Sequence, residues 1–264
     1  MISLNPKPHI AFRGLPEDIE ISRQILSGFR KEFGRPHSNT YVEAKIFQHI
    51  DDDAKTDLLI KLCSVRDKYN SEVKKLRTEL KNWLNLMQVT NKCLVEFNFA
   101  KTKPVITLDD YMKKLKELVS TGGGINCEEY SDILQYEHLK KGIETEVVGV
   151  CIYSKLRDQF LRNHSFCLRN LPEGANPERI STWGDNAVIA DSWIGIVDKA
   201  IDTPIDTVKN GKIISGEFIE GGFTKILKFL KFNPDTEKIR LFSCNKIYAH
   251  DFIRNMRKEK TSAA

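Results

Sequence analysis

The sequence predicts an α+β fold, with a helical N-terminal part followed by a part in which one helix precedes several β-rich runs. Three observations predict it. Apolar residues recur at alternating steps of three and four from Leu58 to Met87, the spacing that keeps one side of a helix apolar. "FNFAKTKPVITLDD" then breaks the pattern, with Pro104 as punctuation. Beyond Gly142 the runs "TEVVGVCIY", "HSFCLRNL" and "NAVIADSW" carry the β-branched and aromatic residues that suit a pleated sheet.

Along the chain, "LPEDIEISRQILSGFRKEF" reads as an amphipathic helix opened by Pro16, with acids in its first turn and bases toward its end, as the helix dipole favours. "TYVEAKIFQHI" supplies a second helix. The Leu58–Met87 stripe makes a third, a rod of roughly 45 Å at the helical rise, which packs either within the chain or against a partner protein. Pro104 marks a domain boundary at about residue 105. Residues 1–105 are then a helical substrate- or partner-recognition region, and residues 106–264 a second domain. "TLDDYMKKLKELVSTGGG" reads as a helix capped by Thr107 and stopped by its glycines. A further helix spans about 126–141 and ends at Gly142. "GKIISGEFIEGGFTKILKFLKFNP" suggests a strand and a glycine-linked helix, with Phe218, Phe223, Ile226, Leu227 and Leu230 in the core and Lys225, Lys228 and Lys231 on a solvated edge.

Composition narrows the function classes. The chain has 264 residues, 41% hydrophobic and 29% charged, enough for one sizeable core with a helical appendage. A net charge of +5 arises from 41 cations nearly balanced by 36 anions, with no long basic block, so nucleic acid is not implied. The basic C-terminal "RNMRKEKTSAA" lacks apolar periodicity and reads as a solvated tail. Six cysteines form no CxxC pair in a chain too long to need disulfide stapling, which points to reduced thiols and a cytoplasmic working place. "MISLNPKPHIAFRG" lacks the unbroken apolar run of an export signal, and no stretch approaches membrane-spanning length. Export by that route and membrane insertion are not expected.

The chemistry-bearing stretch is "TGGGINCEEYSDILQYEHLKKGIE". A thiol is a useful nucleophile only as thiolate, and unpaired N–H groups at a helix start favour the anion. Cys127 sits at such a start. Asn126 before it is a cap or an oxyanion donor, the N–H of Cys127 points where an oxyanion would form, and the glycines through Gly124 allow a substrate backbone to approach. Glu128 and Glu129 complement the dipole but oppose a thiolate unless they point away. A thiolate of this type needs a base, preferably a histidine held by a carboxylate or amide. His164 opens a strand on which Phe166 and Leu168 share its face, and Asp191 ends the apolar run "AVIAD", sharing a face with Trp193. Of the other histidines, His9, His37 and His49 fall in the helical region, His138 on the solvated part of the Cys127 helix, and His250 in the tail.

"GGGINCEEYSDILQYEHLKKGIETEVV", "HSFCLR" and "NAVIADSWIG" together resemble the papain-like and transglutaminase-like cysteine enzymes, in particular those among secreted bacterial effectors and toxins. The resemblance covers roughly residues 120 to 200. It implies a papain-like catalytic domain over 106–264 in which the nucleophile helix packs on an antiparallel sheet. By it Cys127 is nucleophile, His164 general acid and base, Asp191 the orienting carboxylate, and Trp193 a shield against water. "ADSWIG" stands where aspartate-proline-tryptophan is commoner, Glu128 where many relatives have glycine or alanine, and Thr121 where papain has its oxyanion glutamine. Asn126 and Gln88 are the oxyanion candidates that remain.

The implied chemistry is thiolate attack on an amide of a protein substrate, as in a protease, a glutamine deamidase or a transglutaminase, without metal or cofactor. The resemblance also implies delivery into a host cell by a specialised secretion system, and a host protein as substrate. Two readings from other classes compete. His164 and Cys167, with Cys151 or Cys127, have zinc-like H-x-x-C spacing, although a strand puts Cys167 opposite His164. Alternatively, the chain is a helical binding or adaptor module with a degenerate triad.

Overall fold

In a computed structural model of the protein, the described residues are 15–33, 71–90, 106–122, 126–209 and 212–245. They contain five α-helices: α1 (Leu15–Phe33), α2 (71–90), α3 (Leu108–Gly122), α4 (Cys127–Lys140) and α5 (Gly222–Phe229). The strands are β1 (Thr145–Ser154), β2 (Phe160–Arg169), β3 (Val188–Asp191), β4 (Ile196–Lys199), β5 (Thr203–Lys209), β6 (Lys212–Ile219) and β7 (Glu237–Ser243). Five of them form an antiparallel sheet in the order β4-β3-β2-β1-β7, and β5 and β6 pair as a separate ribbon. The fold is therefore α+β. No described helix is long and apolar enough to cross a membrane.

Local chemistry explains the helix boundaries. The Thr107 hydroxyl accepts the Asp110 N–H at 3.1 Å while the Asp110 carboxylate accepts the Thr107 N–H at 3.0 Å, a reciprocal cap that starts α3. Past α4, Gly142 takes φ +73°, the left-handed conformation that ends a helix cheaply in glycine. On α3, Leu108, Tyr111, Met112, Leu115 and Leu118 are buried at steps of three and four. They meet Leu76 and Leu80 of α2, Phe29 of α1 and Tyr130 and Ile133 of α4 in one core. The apolar face of α2 is thus used inside the chain through Leu80 and, partly buried, Trp83 and Leu84, while Leu86 and Val89 are exposed. The portion of that stripe from Leu58 to residue 70, the "TYVEAKIFQHI" helix and the C-terminal tail lie outside the described residues.

The sheet is covered on both faces. Val147, Cys167, Val188, Ala190 and Val197 pack with Ile25 and Leu26 of α1 and Leu134 of α4. Strand alternation sends Val148, Val150, Ile152, Phe166, Leu168 and Ile189 the other way, against Phe223 and Ile226 of α5 and the fully buried Trp183. Trp183 stands edge-on to Phe223 with ring centroids 5.5 Å apart and donates its indole N–H to the Pro177 carbonyl at 3.1 Å.

Helix α1 belongs to these same cores, and a buried polar chain ties it in. Arg169 of β2 donates to the Ser22 hydroxyl at 2.6 Å and pairs with Asp18 at 2.7 Å. The Ser22 hydroxyl lies 3.1 Å from His138 Nε2, and His138 Nδ1 is 2.8 Å from the Leu134 carbonyl. His138 is consequently fully buried, not on a solvated part of its helix as the sequence suggests. Burial, countered by the Leu134 bond and reinforced by the Arg169 charge, pushes its pKa down to about 4, so it is a neutral structural imidazole. Phe223, Ile226 and Leu230 are core residues, as expected, and Lys225 and Lys228 pair with Asp198 and Glu220.

Candidate active site

Cys127 is the first residue of α4, where Asn126 supplies a complete capping box. Asn126 is extended at φ −110°, ψ 176°, and its side-chain oxygen accepts from the N–H of Cys127 at 2.8 Å and from the N–H of Glu129. Glu129 Oε2 reaches back to accept the Asn126 N–H at 3.0 Å. Asn126 Oδ1 therefore acts as the cap and engages the Cys127 N–H, while capping uses none of the hydrogens of its side-chain Nδ2. The other oxyanion suggestion, Gln88, is exposed on α2. Gly124 and the side chain of Thr121 lie outside the described residues.

The Arg77 guanidinium of α2 clasps the first turn of α4. Its Nε donates to Glu129 Oε1 at 2.6 Å and its Nη2 to Glu128 Oε2 at 3.0 Å. Burial lowers the Arg77 pKa, and the bond to Glu129 with the charges of Glu129, Glu128 and Cys127 more than offsets it. The two acids that would repel a thiolate are thereby neutralised by a cation whose field also reaches Cys127. No motif around Cys127 announces this residue, which lies 50 positions upstream; the helical phase of α2 is the only signal, and it fixes the apolar face, not the polar partner.

His164 lies on β2 opposite Val150 of β1, and Asp191 ends β3 one strand further along the sheet. His164 Nε2 and Asp191 Oδ2 are 2.6 Å apart, which leaves Nδ1 as the nitrogen not engaged by the carboxylate, and Cys127 is close enough to favour the ring's cation. The other carboxylate oxygen is occupied as well: Asp191 Oδ1 accepts the N–H of Trp193 at 2.8 Å and of Ile194 at 3.2 Å, bracing the β3–β4 turn. That turn closes with Gly195 at φ +79°, and a side chain there would also collide with the Arg30 guanidinium. Asp191 is thus both turn former and imidazole partner. Burial alone would lower the His164 pKa; the charge and hydrogen bond of Asp191, assisted by Cys127, overcome it and raise the pKa to about 10. The imidazole is held as a cation at neutral pH.

Packing fixes the ring further. Phe229, at the end of α5, stands 5.9 Å from the His164 ring, and Arg162 holds the end of that helix through the Leu230 and Lys231 carbonyls and Glu237. Trp193 is half-buried and meets Tyr130 edge-on at 5.6 Å. Exposure orders the three residues: Asp191 1%, His164 2%, Cys127 7%, so Cys127 is the least buried of them.

The remaining cysteine of the H-x-x-C spacing behaves differently. Cys167 Sγ donates to the Ser131 carbonyl at 3.3 Å, and burial with the nearby Asp191 and Asp132 charges pushes its thiol pKa well up. Among the described residues, no group of three or more His, Cys, Asp or Glu side chains is arranged to hold a metal ion. A hollow of about 630 Å³ lined by Glu32, Lys113, Lys116 and Glu117 shares no residue with Cys127, His164 or Asp191. No family model, curated protein or solved structure matches the chain.

Proposed function

We propose that the chain is a cysteine-thiolate enzyme acting on amide groups of a protein substrate, with a papain-like or transglutaminase-like arrangement of Cys127, His164 and Asp191. The observation that carries this reading is a cysteine at a capped helix start that acts electrostatically on an imidazole whose Nε2 is 2.6 Å from a buried carboxylate. A structural cysteine or a turn-forming aspartate would not need that alignment.

In the first half-reaction the Cys127 sulfur attacks the amide carbon, a C–S bond forms, and the C–N bond breaks as the His164 imidazolium gives its proton to the departing nitrogen. In the second, His164 takes a proton from the incoming nucleophile, which attacks the thioester and releases Cys127. Water on a peptide acyl-enzyme completes proteolysis, water on a glutamine acyl-enzyme completes deamidation, and an amine there completes transamidation. Asp191 holds the imidazole orientation throughout and Trp193 covers the turn beside it. The relationship to secreted bacterial effectors rests on the sequence resemblance alone.

Intact-mass and peptide mass analysis of candidate protein substrates, treated with wild type and with Cys127→Ala, tests the reading. Chain cleavage, loss of ammonia with gain of water, or an amine adduct, each absent with Cys127→Ala, is the expected outcome and names the reaction. Full biological effect from Cys127→Ser would overturn it in favour of a binding module.

A further inference from the structure

A groove of about 390 Å³ opens beside the start of α4, lined by Val73, Lys74, Arg77, Thr78 and Lys81 of α2 and by Asn126. Its cations recur at steps of three and four, so the helix presents them on one side. They are not equivalent. Arg77 is committed to Glu128 and Glu129, and its charge cancels theirs. Lys74 and Lys81 are exposed, and neither ammonium has a carboxylate partner among the described residues. The groove, which reaches Asn126 next to Cys127 in the chain, therefore carries on its α2 wall two lysines without a carboxylate partner among the described residues, and Glu128 and Glu129 of the adjoining helix turn are already paired.

We propose that this groove binds an acidic segment of the protein substrate next to the amide that Cys127 attacks, with Lys74 and Lys81 as specificity-determining residues. The inference rests on the enzymatic reading above and adds the chemical class of its substrate. Lysine on a helix suits such a role, because its long flexible stem lets the ammonium group follow a carboxylate pattern of variable spacing, so that the preference comes from charge. Thr78 and Asn126 add hydrogen-bonding groups along the same wall for the substrate backbone.

The test uses two iodoacetyl-capped hexapeptides, one rich in glutamate and one with glutamine in its place, whose alkyl carbon forms a bond to the cysteine sulfur as iodide leaves. The alkylation rate of Cys127 by each is followed by intact mass on the full chain, and the acidic-to-neutral ratio cancels any change in the thiol itself. In wild type at low ionic strength the ratio is expected to be at least about fourfold, the factor that Coulomb's law gives for one carboxylate ~10 Å from two ammonium groups in water. It should collapse toward one in molar salt, where the screening length is about 3 Å. Lys74→Gln/Lys81→Gln should bring it to about one, and Lys74→Arg/Lys81→Arg should restore it.

A wild-type ratio of one, or a ratio that the glutamine double variant leaves unchanged, would overturn the groove assignment while selective labelling of Cys127 kept the enzymatic reading. Protection of Cys127 by an RNA oligonucleotide with no preference for the acidic peptide would overturn it in favour of nucleic acid. Neutral-probe labelling spread evenly over the cysteines would overturn both.

Discussion

Replacing Asp191 with asparagine makes one amide do what two carboxylate oxygens now do. Oδ1 accepts two backbone N–H groups of the β3–β4 turn and Oδ2 takes the imidazole. An asparagine has a single acceptor oxygen. If it keeps the turn, its NH₂ faces His164 Nε2, which must then be the unprotonated nitrogen; Nδ1 carries the proton and points it at Cys127, the wrong tautomer for accepting one. The charge lost is also the main force holding the imidazolium. With the pKa at about 10, roughly 99% of the ring is protonated at pH 8. Without the carboxylate it falls to about 6.5 or lower, because burial, the largest single influence on the ring, is then opposed only by the smaller effect of Cys127, and about 3% or less is protonated at pH 8. The variant should therefore show at least a roughly 30-fold loss of imidazolium at that pH, read as the midpoint of the His164 ring resonances in an NMR titration. An Asp191→Asn midpoint within about one pH unit of wild type would refute the reasoning.

The other predictions concern stability. His138 is neutral in the fold, with a pKa of about 4 against an ordinary 6.5, so the unfolded chain binds the extra proton first. Stability should fall as pH drops from 6.5 toward 4, by roughly 3 kcal/mol from this group. The urea midpoint of wild type minus that of His138→Gln should track this window; a flat difference would contradict it. His164 acts with the opposite sign: its contribution is complete below pH 6.5 and is lost as pH rises toward about 10, so a His164→Gln comparison should diverge from wild type on the acid side. Arg169→Leu removes the buried guanidinium that joins Asp18 and Ser22 to β2 and should cost about 3 kcal/mol, seen as a lowered Tm, because the half-buried Asp18 carboxylate loses its charged partner and keeps only Asn170, and the buried Ser22 hydroxyl loses a donor.

Local signals in the chain reach the polar trio but not its surroundings. A cysteine after an asparagine with glutamate two residues on is a capping box in one dimension, and α4 does begin at Cys127 with Asn126 as cap. The runs that suggest strands hold β1, β2 and β3, and the steps of three and four hold the buried faces of α2 and α3. Arg77 is not legible because one helical phase says which residues face a core, not which charge a neighbouring helix will meet. The burial of His138 is hidden for a related reason: Ser22 and Arg169, which make it tolerable, lie 116 positions before it and on a strand beyond it. The 1–105 region reads in sequence as an appendage, yet its described parts, α1 and α2, share cores with α3, α4 and the sheet.

What the sequence determined by itself is what acts over a few residues: periodicity, caps, glycine stops and the order of Cys127, His164 and Asp191. What only the tertiary structure decided is which of those groups share a dielectric environment. The physical reason is range. Hydrogen bonds within a turn are set by neighbours in the chain, whereas the cationic state of His164, the neutrality of His138 and the pairing of Arg77 depend on burial and charges brought together across strands and helices. β7 joins the sheet beside β1 from some 90 residues away, a placement that hydrogen bonds between distant strands select and no local pattern encodes.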